Sequence, residues 1–138
     1  MWSSQSAPTL EPEELADWMR DPSKKPNVDY LVVDVRDEDF IGGHISKALN
    51  VPSKDFHKDP SSFAAQLAAP KKVVFHCALS QVRGPKAANA YLRDVVAATG
   101  SNQQVYVLQG GFTSWQLRYG KDASLTENYD EELWKHNY

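Results

Sequence analysis

The chain has 138 residues, of which 41% are hydrophobic and 24% charged, a composition typical of one soluble globular domain. Fifteen basic and eighteen acidic residues give a formal net charge of −3, which argues against a nucleic-acid partner. No apolar run approaches the roughly 20 residues that span a bilayer, so no membrane partner is expected. The single cysteine, Cys77, excludes an internal disulfide and a cysteine-rich zinc site.

Cysteine usage and the start of the chain predict where the protein works. Residues 1–5 lack the basic and apolar segments of a signal peptide, and a lone cysteine suits a reducing compartment. We therefore expect a monomer in the cytoplasm, with the nucleus as a further location. The histidines are scattered along the sequence, so no metal site is expected.

The first half of the chain predicts helices and strands in alternation. Residues 1–8 are expected to be flexible. A helix is predicted from Pro12 to Asp21, because proline and acidic residues suit its first turn. The apolar, largely β-branched run over 30–35 is typical of a strand buried on both faces. The remaining elements of this half are a turn or short helix over 37–40, a strand over 48–51 and a helix over 60–68.

The second half continues the alternation with a strand over 72–76, a loop over 77–83, a helix over 85–98, a strand over 104–108 and a helix ending near Tyr119. This order predicts an α/β domain over residues 9–120, with a central parallel sheet and helices on both faces. Function in such sheets gathers in loops at the carboxyl ends of strands, here 36–44, 77–84 and 109–112. Residues 121–138 are predicted as a tail whose short helix packs on the domain, with partner binding as the alternative.

The loop after the third predicted strand carries a cysteine and an arginine. Five residues separate Cys77 from Arg83, and Gly84 and Pro85 follow. Backbone N–H groups at a helix start can form an anion-binding cradle, and the same positive end favours a nucleophilic thiolate. The planar guanidinium suits two oxygens of a tetrahedral anion. The pattern therefore predicts nucleophilic catalysis on an oxyanion, with Cys77 and Arg83 as catalytic residues.

The neighbouring residues have supporting roles in this prediction. Gly84 permits close backbone approach, and His76 is expected to position the loop rather than to act in catalysis. An inert buried thiol is the alternative for Cys77. Backbone N–H groups define the predicted phosphate-binding loop of Ala78, Leu79, Ser80, Gln81, Val82 and Arg83.

Several segments resemble the signatures of rhodanese domains. LVVDVR at 31–36, FIGGHI at 40–45 and ALNVP at 48–52 look like their first signature, and VLQGGF at 107–112 looks like their last. Between them, the pattern His-Cys-x5-Arg-Gly-Pro at 76–85 is similar to the active loop of the M-phase inducer phosphatases and of the eukaryotic arsenate reductases. The resemblance covers residues 9–120 and implies a rhodanese-like fold.

The resemblance implies a protein phosphatase of tyrosine or dual specificity. Cys77 would attack phosphorus to form a phosphocysteine, Arg83 and the loop N–H groups would hold the equatorial oxygens, and water would hydrolyse the intermediate. No cofactor is implied, and the substrate would be a phosphorylated protein or a small oxyanion. Asp34 and Arg36 match the first motif, and we interpret them as an internal ion pair that fixes the loop after their strand.

Two features of the loop keep alternatives open. Sulfurtransferases of this fold usually carry a loop one residue shorter, so the length here favours phosphate or arsenate. The M-phase inducer phosphatases carry acidic residues within the loop, whereas positions 78–82 hold none. Asp37, Glu38 and Asp39 follow another strand and could reach the site, but we interpret them as a solvated acidic turn. The substrate monoanion would then protonate its own leaving group. The alternatives are an arsenate reductase with glutathione as co-substrate, since Cys77 has no internal thiol partner, and a non-catalytic rhodanese-like binding module.

Overall fold

The computed structural model describes residues 6–136, which form a five-stranded and a two-stranded sheet. In chain order the strands are β1 (Thr9–Leu10), β2 (Tyr30–Asp34), β3 (His44–Ile45), β4 (Leu49–Asn50), β5 (Lys72–His76), β6 (Gln104–Leu108) and β7 (Thr126–Glu127). The large sheet is parallel, in the order β1-β6-β5-β2-β4, and β3 pairs with β7 in antiparallel fashion. The predicted α/β class with a central parallel sheet is confirmed.

Helices follow most of the strands. They are α1 (Pro12–Arg20), α2 (Ser53–Phe56), α3 (Ala64–Leu67), α4 (Arg83–Tyr91), α5 (Gly111–Tyr119) and α6 (Glu131–His136), with a 3₁₀ turn at Pro60–Phe63 and a π-helical segment at Leu92–Ala97. No helix within residues 6–136 has the length and apolar character needed to cross a membrane.

Alternate side chains of the central strands enter two cores, one on each face of the sheet. Val33 packs in the core that includes Tyr91 of α4, whereas Val32 packs in the core that includes Trp115 of α5. Burial on both faces explains the continuous apolar runs of β2 and β5. Asp34 and His76 end these two strands in register, so the loops that follow them lie side by side at one edge of the sheet.

Several elements differ from the sequence prediction. The helix predicted over 60–68 is divided, because the hydroxyls of Ser61 and Ser62 donate to Asp59 and hold a 3₁₀ turn. The helix predicted over 85–98 begins at Arg83, so the arginine lies in its first turn. The strands β1, β3 and β7 and helix α2 carry no periodic signal in the sequence, because none exceeds four residues.

Both ends of the described chain make contacts with the rest of the domain. The N–H of Ala7 donates to Asn89 Oδ1 at 2.8 Å, and the carbonyl of Pro8 accepts from Val107 N–H at 2.9 Å, so this segment is tied to the domain. Residues 1–5, also predicted to be flexible, lie outside the described residues. The C-terminal segment contains β7 and α6, and residues 137–138 lie outside the described part.

Candidate active site

Cys77 lies at the base of the loop between β5 and α4. Its residue surface is 3% exposed, and its Sγ accepts the N–H groups of Ser80 at 3.2 Å and Gly84 at 3.3 Å. Both N–H groups are therefore placed to donate to a thiolate. A Cβ at position 84 would lie 3.3 Å from Cys77 N and from Ser80 Oγ, which explains why glycine suits this close approach.

The start of α5 holds the first part of this loop. The N–H groups of Phe112 and Thr113 donate to the carbonyls of Cys77 and Ala78 at 3.0 and 2.9 Å. Gly111 has φ +59°, and a Cβ there would lie 2.5 Å from both carbonyl oxygens. In a trans peptide the N–H points away from the carbonyl, so the N–H groups that follow these carbonyls face away from α5. Gly111, in the loop over 109–112, therefore supports the site by permitting this close approach.

Unpaired N–H groups line the loop. Within residues 6–136 no protein acceptor is found for the N–H groups of Ala78, Leu79, Gln81, Val82 and Arg83. Donors left free in this way at a helix start favour a bound anion. The N–H of Ser80, also a member of the predicted loop, donates to the Cys77 sulfur in this structure, with Ser80 at φ +55°.

Arg83 connects this loop with the loop after β2. Its Nη1 and Nη2 donate to the two carboxylate oxygens of Asp39 at 2.8 and 2.6 Å, and Nη1 also donates to Asp37 Oδ2 at 3.3 Å. Asp37 and Asp39 therefore reach the site, a contact that the interpretation as a solvated acidic turn did not include, while 43% of the Asp39 side chain remains exposed. Glu38 remains at the surface, where it pairs with Lys54.

The guanidinium keeps donors for a ligand. Arginine has five N–H groups, of which the two aspartates take three. Nε–H and the second Nη2–H have no acceptor within the described residues, and together they form the fork that suits two oxygens of one anion. Hydrogen bonding to Asp39 is the main cause that raises the pKa of Arg83; burial opposes this rise, and the charge of Asp39 adds to it. The group therefore stays cationic.

Both aspartates are held in the ionised form. Hydrogen bonding from Arg83 lowers the pKa of Asp39. Burial opposes ionisation of Asp37, but hydrogen bonds from Ser53, from the Lys54 N–H and from Arg83 together keep its pKa below the usual value. Neither carboxylate is therefore a ready proton donor near neutral pH.

Asp34 and Arg36 form the internal ion pair that their motif predicts. Both side chains have no exposed surface, and Nη2 lies 2.7 Å from Asp34 Oδ2. The guanidinium also donates to the carbonyls of Ile41 at 3.1 Å and Gly43 at 2.8 Å, and it stacks over Phe112 at 4.5 Å. This pair therefore holds the loop that presents Asp39.

His76 lies behind the loop and has no exposed surface. Its Nδ1 is 3.0 Å from the Cys77 carbonyl, and its Nε2 is 3.7 Å from Asp34 Oδ2. Burial is the main cause that lowers the pKa of His76, so the ring is neutral near pH 7. Its position fits the predicted supporting role, because substrate cannot reach the ring.

The C-terminal helix α6 contacts the loop that carries Asp39. Trp134 is buried against Phe112, with ring centroids 5.6 Å apart, and its Nε1 donates to the Gly42 carbonyl at 2.9 Å. Gly42 has φ +78°, and a Cβ there would lie 2.5 Å from Trp134 Nε1. This face of the tail therefore packs on its own domain, and the contact with a site loop is one that the sequence did not reveal.

Between residues 6 and 136, no three His, Cys, Asp or Glu side chains are placed to hold a metal ion. The groups that the described loop brings together are the Cys77 sulfur, free backbone N–H donors and the Arg83 guanidinium. This combination suits attack on a tetrahedral oxyanion.

Comparison with known proteins identifies the family. The rhodanese-like domain family matches residues 13–118, and the chain belongs to that family. It is 36% identical over 140 residues to the CDC25-like phosphatase YCH1 of Saccharomyces cerevisiae, which covers 91% of this chain and 93% of the relative. The family resemblance inferred from the motifs is thereby confirmed.

A second relative and a solved structure give two further comparisons. Over 107 residues the chain is 36% identical to arsenate reductase 2.2 of Oryza sativa subsp. japonica, covering 75% of this chain and 78% of the relative. The structure of Ygr203w, a yeast protein tyrosine phosphatase of the rhodanese family, superposes with a TM-score of 0.81 at 36% identity, covering 94% of this chain and 97% of that one.

Proposed function

We propose that the protein is a phosphatase that hydrolyses phosphate monoesters of protein side chains through a phosphocysteine. The observation that carries the proposal is the loop at 77–83. It surrounds the Cys77 sulfur with backbone N–H donors and places Arg83 in the first turn of the following helix. The relatives named phosphatases support it.

The proposed hydrolysis uses Cys77, Arg83 and the loop N–H groups in two steps. The Cys77 thiolate attacks phosphorus, an S–P bond forms, and the bond to the leaving oxygen breaks, with its electron pair going to that oxygen. Arg83 and the free N–H groups hold the equatorial oxygens, which carry the charge in the transition state. Water then attacks phosphorus, the S–P bond breaks, and orthophosphate and the thiolate are released.

The leaving group needs a proton from a source other than the two aspartates. Asp37 and Asp39 are ionised by their contacts with Arg83, and positions 78–82 hold no acid. We propose that the proton comes from the substrate monoanion, as the neutral loop implies. A leaving group of low pKa needs little of this proton transfer and therefore departs most readily from a site without an acid.

Substitution of the nucleophile tests the mechanism. Cys77→Ser should reduce hydrolysis of para-nitrophenyl phosphate by several orders of magnitude, because a hydroxyl is a far weaker nucleophile than a thiolate. Unfolding in urea should show that the variant remains folded. Hydrolysis at the native rate by the folded variant would show that the mechanism is wrong.

Arsenate reduction is the second candidate, supported by the acid-free loop and by relatives named arsenate reductases. Arsenate and two glutathione thiols would give arsenite, glutathione disulfide and water, so that arsenic gains the two electrons that the thiols lose. Cys77 would form the first bond to arsenic, and glutathione would resolve it because the chain has one cysteine.

Three assays on the same preparation separate these activities. We expect hydrolysis of the aryl phosphate, weaker or absent glutathione-dependent arsenate reduction, and negligible sulfur transfer from thiosulfate to cyanide. Faster arsenate turnover than phosphate turnover would favour the second candidate. Robust sulfur transfer without phosphatase activity would overturn the argument from loop length, and binding without any turnover would indicate a binding module.

A further inference from the structure

Ser80 is bound to Cys77 through both its backbone and its side chain. The Ser80 N–H donates to Cys77 Sγ at 3.2 Å, and the Cys77 N–H donates to Ser80 Oγ at 3.4 Å. Each residue thus accepts on its side chain the backbone N–H of the other, as the two residues of a helix capping box do. The proposed hydrolysis needs the first hydrogen bond near the sulfur but gives no reason for the second.

The backbone of Ser80 has a conformation that serine rarely adopts. Its φ is +55°, in the left-handed region. Within residues 6–136 the other non-glycine residues with positive φ are Asn27, Lys47 and Asn128, and glycine and asparagine tolerate this region best. A strained residue in a site loop is a sign of a functional constraint. A serine at position 80 therefore indicates that its hydroxyl is used.

The Ser80 N–H has a different direction from the N–H groups on either side of it. Those of Leu79 and Gln81 have no protein acceptor in the described part of the chain and are left free for an anion, whereas the Ser80 N–H reaches the sulfur. The side chain and the N–H of Ser80 are both fixed to Cys77, and this restricts rotation about φ of Ser80. The hydroxyl therefore keeps the N–H on the sulfur.

The sulfur depends strongly on the N–H groups that reach it. Those of Ser80 and Gly84 donate to Cys77 Sγ at 3.2 and 3.3 Å, and the cysteine is only 3% exposed. Little solvent reaches the sulfur, so water cannot readily replace a lost N–H donor to the thiolate. A group that fixes the direction of one of these donors thus acts on the nucleophile itself.

We propose that Ser80 is a positioning residue for the nucleophile. Its hydroxyl accepts the Cys77 N–H, and this contact holds the Ser80 N–H on the sulfur, so that the thiolate is stabilised at the base of the loop. The proposal deepens the phosphocysteine mechanism proposed above and rests on it, because the same thiolate attacks phosphorus and later leaves it.

Two substitutions at position 80 separate the hydroxyl from the backbone. Ser80→Gly keeps the N–H and suits positive φ but removes the hydroxyl, whereas Ser80→Thr keeps the hydroxyl and adds a branch at Cβ that disfavours positive φ. Urea unfolding should therefore find the glycine variant at least as stable as the threonine variant. Alkylation of Cys77 by iodoacetamide at about pH 6.5 should show the opposite order. It should be about fivefold slower than wild type in Ser80→Gly and less reduced in Ser80→Thr.

Two further measurements control for effects on the rest of the protein. Ser101→Gly is the matched variant, because Ser101 Oγ also accepts a backbone N–H, that of Gln103 at 3.0 Å, outside the site loops. Its alkylation rate should stay within about twofold of wild type. The affinity of Ser80→Gly for orthophosphate, measured by calorimetry, should also stay within about twofold, because the free N–H groups of the loop remain. The chain has one cysteine, so mass spectrometry identifies the alkylated site directly.

Three outcomes would overturn the proposal. They are alkylation of folded Ser80→Gly at the wild-type rate, an equal decrease in Ser101→Gly, and a loss of orthophosphate affinity as large as the loss of alkylation. The last would show that the hydroxyl supports the whole loop rather than Cys77. Alkylation reports on the thiolate whether or not a monoester is hydrolysed. A protein that shows the Ser80 effect but hydrolyses no monoester would therefore contradict the proposed function and leave the role of Ser80 in place.

Discussion

Two Asp–Arg pairs support this site, and their exposure to solvent differs. The pair of Asp34 and Arg36 has no exposed surface. The pair of Asp39 and Arg83 leaves 43% and 32% of the side chains exposed. The first joins residues of one segment and the second joins two loops, so the same two residue types serve here in different ways.

The difference in burial separates a pair that stabilises the fold from a pair whose arginine is accessible to a ligand. In the buried pair every contact of Arg36 is to the protein: the carboxylate, loop carbonyls and an aromatic ring. Arg83 instead keeps a fork of N–H donors and faces solvent. Removing one partner of a buried pair strands an uncompensated charge, whereas an exposed pair contributes little to stability.

The largest expected effect comes from one substitution made in both pairs. Asp34→Asn leaves the Arg36 charge buried without its carboxylate and should lower the free energy of unfolding by about 3–5 kcal/mol. Asp39→Asn should lower it by less than about 1 kcal/mol, since its partner remains hydrated. Urea unfolding of both variants measures the difference. Equal losses would contradict the division between the pairs.

The next effect concerns catalysis rather than stability. Arg83→Lys keeps the positive charge but loses the fork, so kcat/KM on an aryl phosphate should fall about 10²-fold, close to the value of Arg83→Ala. The unfolding free energy should change little. Arg93→Lys, in an exposed pair with Asp94, is the matched control and should keep native turnover. Near-native activity of Arg83→Lys would show that charge alone suffices.

A smaller effect depends on pH and on the buried side of the site. Burial lowers the pKa of His76 in the folded protein, while the nearby Asp34 opposes and Arg36 adds to that effect. The unfolded chain titrates near 6.5, so below that pH it binds a proton that the folded protein does not. The contribution of the neutral His76 ring to the free energy of unfolding is thus complete above about pH 6.5. It is lost as pH falls, by at most roughly 1.4 kcal/mol per pH unit.

Urea unfolding between pH 7.5 and 5.5 measures this loss. His76→Gln should flatten the dependence on pH, whereas His136→Gln, at an exposed position, should leave it as in the wild type. An NMR titration should find the pKa of His76 below the ordinary histidine value of about 6.5. The same slope in all three proteins would show that His76 does not carry the effect.

Much of this architecture could be predicted from local patterns. Short stretches of sequence encode the apolar runs of β2 and β5 and the spacing of Cys77 and Arg83. The pairing of Asp34 with Arg36 spans only two positions. The contact of Asp39 with Arg83 spans 44 positions and arises only when β2 and β5 pair in register. For that reason the acidic turn could not be distinguished from a solvated one in the sequence.

The contact of the tail with the site is the other feature that the sequence concealed. Trp134 and Gly42 are 92 positions apart in the sequence, and no motif predicts the hydrogen bond between them. The sequence does contain two adjacent glycines, Gly42 and Gly43. In the structure both have positive φ, and a Cβ on either would collide with the C-terminal segment. A motif glycine therefore marked a close approach without revealing which segment approaches.

The contact between Trp134 and Gly42 gives the smallest expected effect. It tests whether the Asp39–Arg83 pair depends on the packing of α6 against the loop that carries Asp39. Trp134→Phe keeps an aromatic ring against Phe112 but removes the Nε1 donor to the Gly42 carbonyl, a hydrogen bond worth about 1 kcal/mol. The loop that presents Asp39 should then hold Arg83 less firmly, and kcat/KM on an aryl phosphate should fall about threefold. Trp18→Phe, on α1 against Tyr30, is the control and should leave kcat/KM unchanged. Equal activity of the two variants, measured at equal folded fraction, would show that the tail supports the fold but not the Asp39–Arg83 pair.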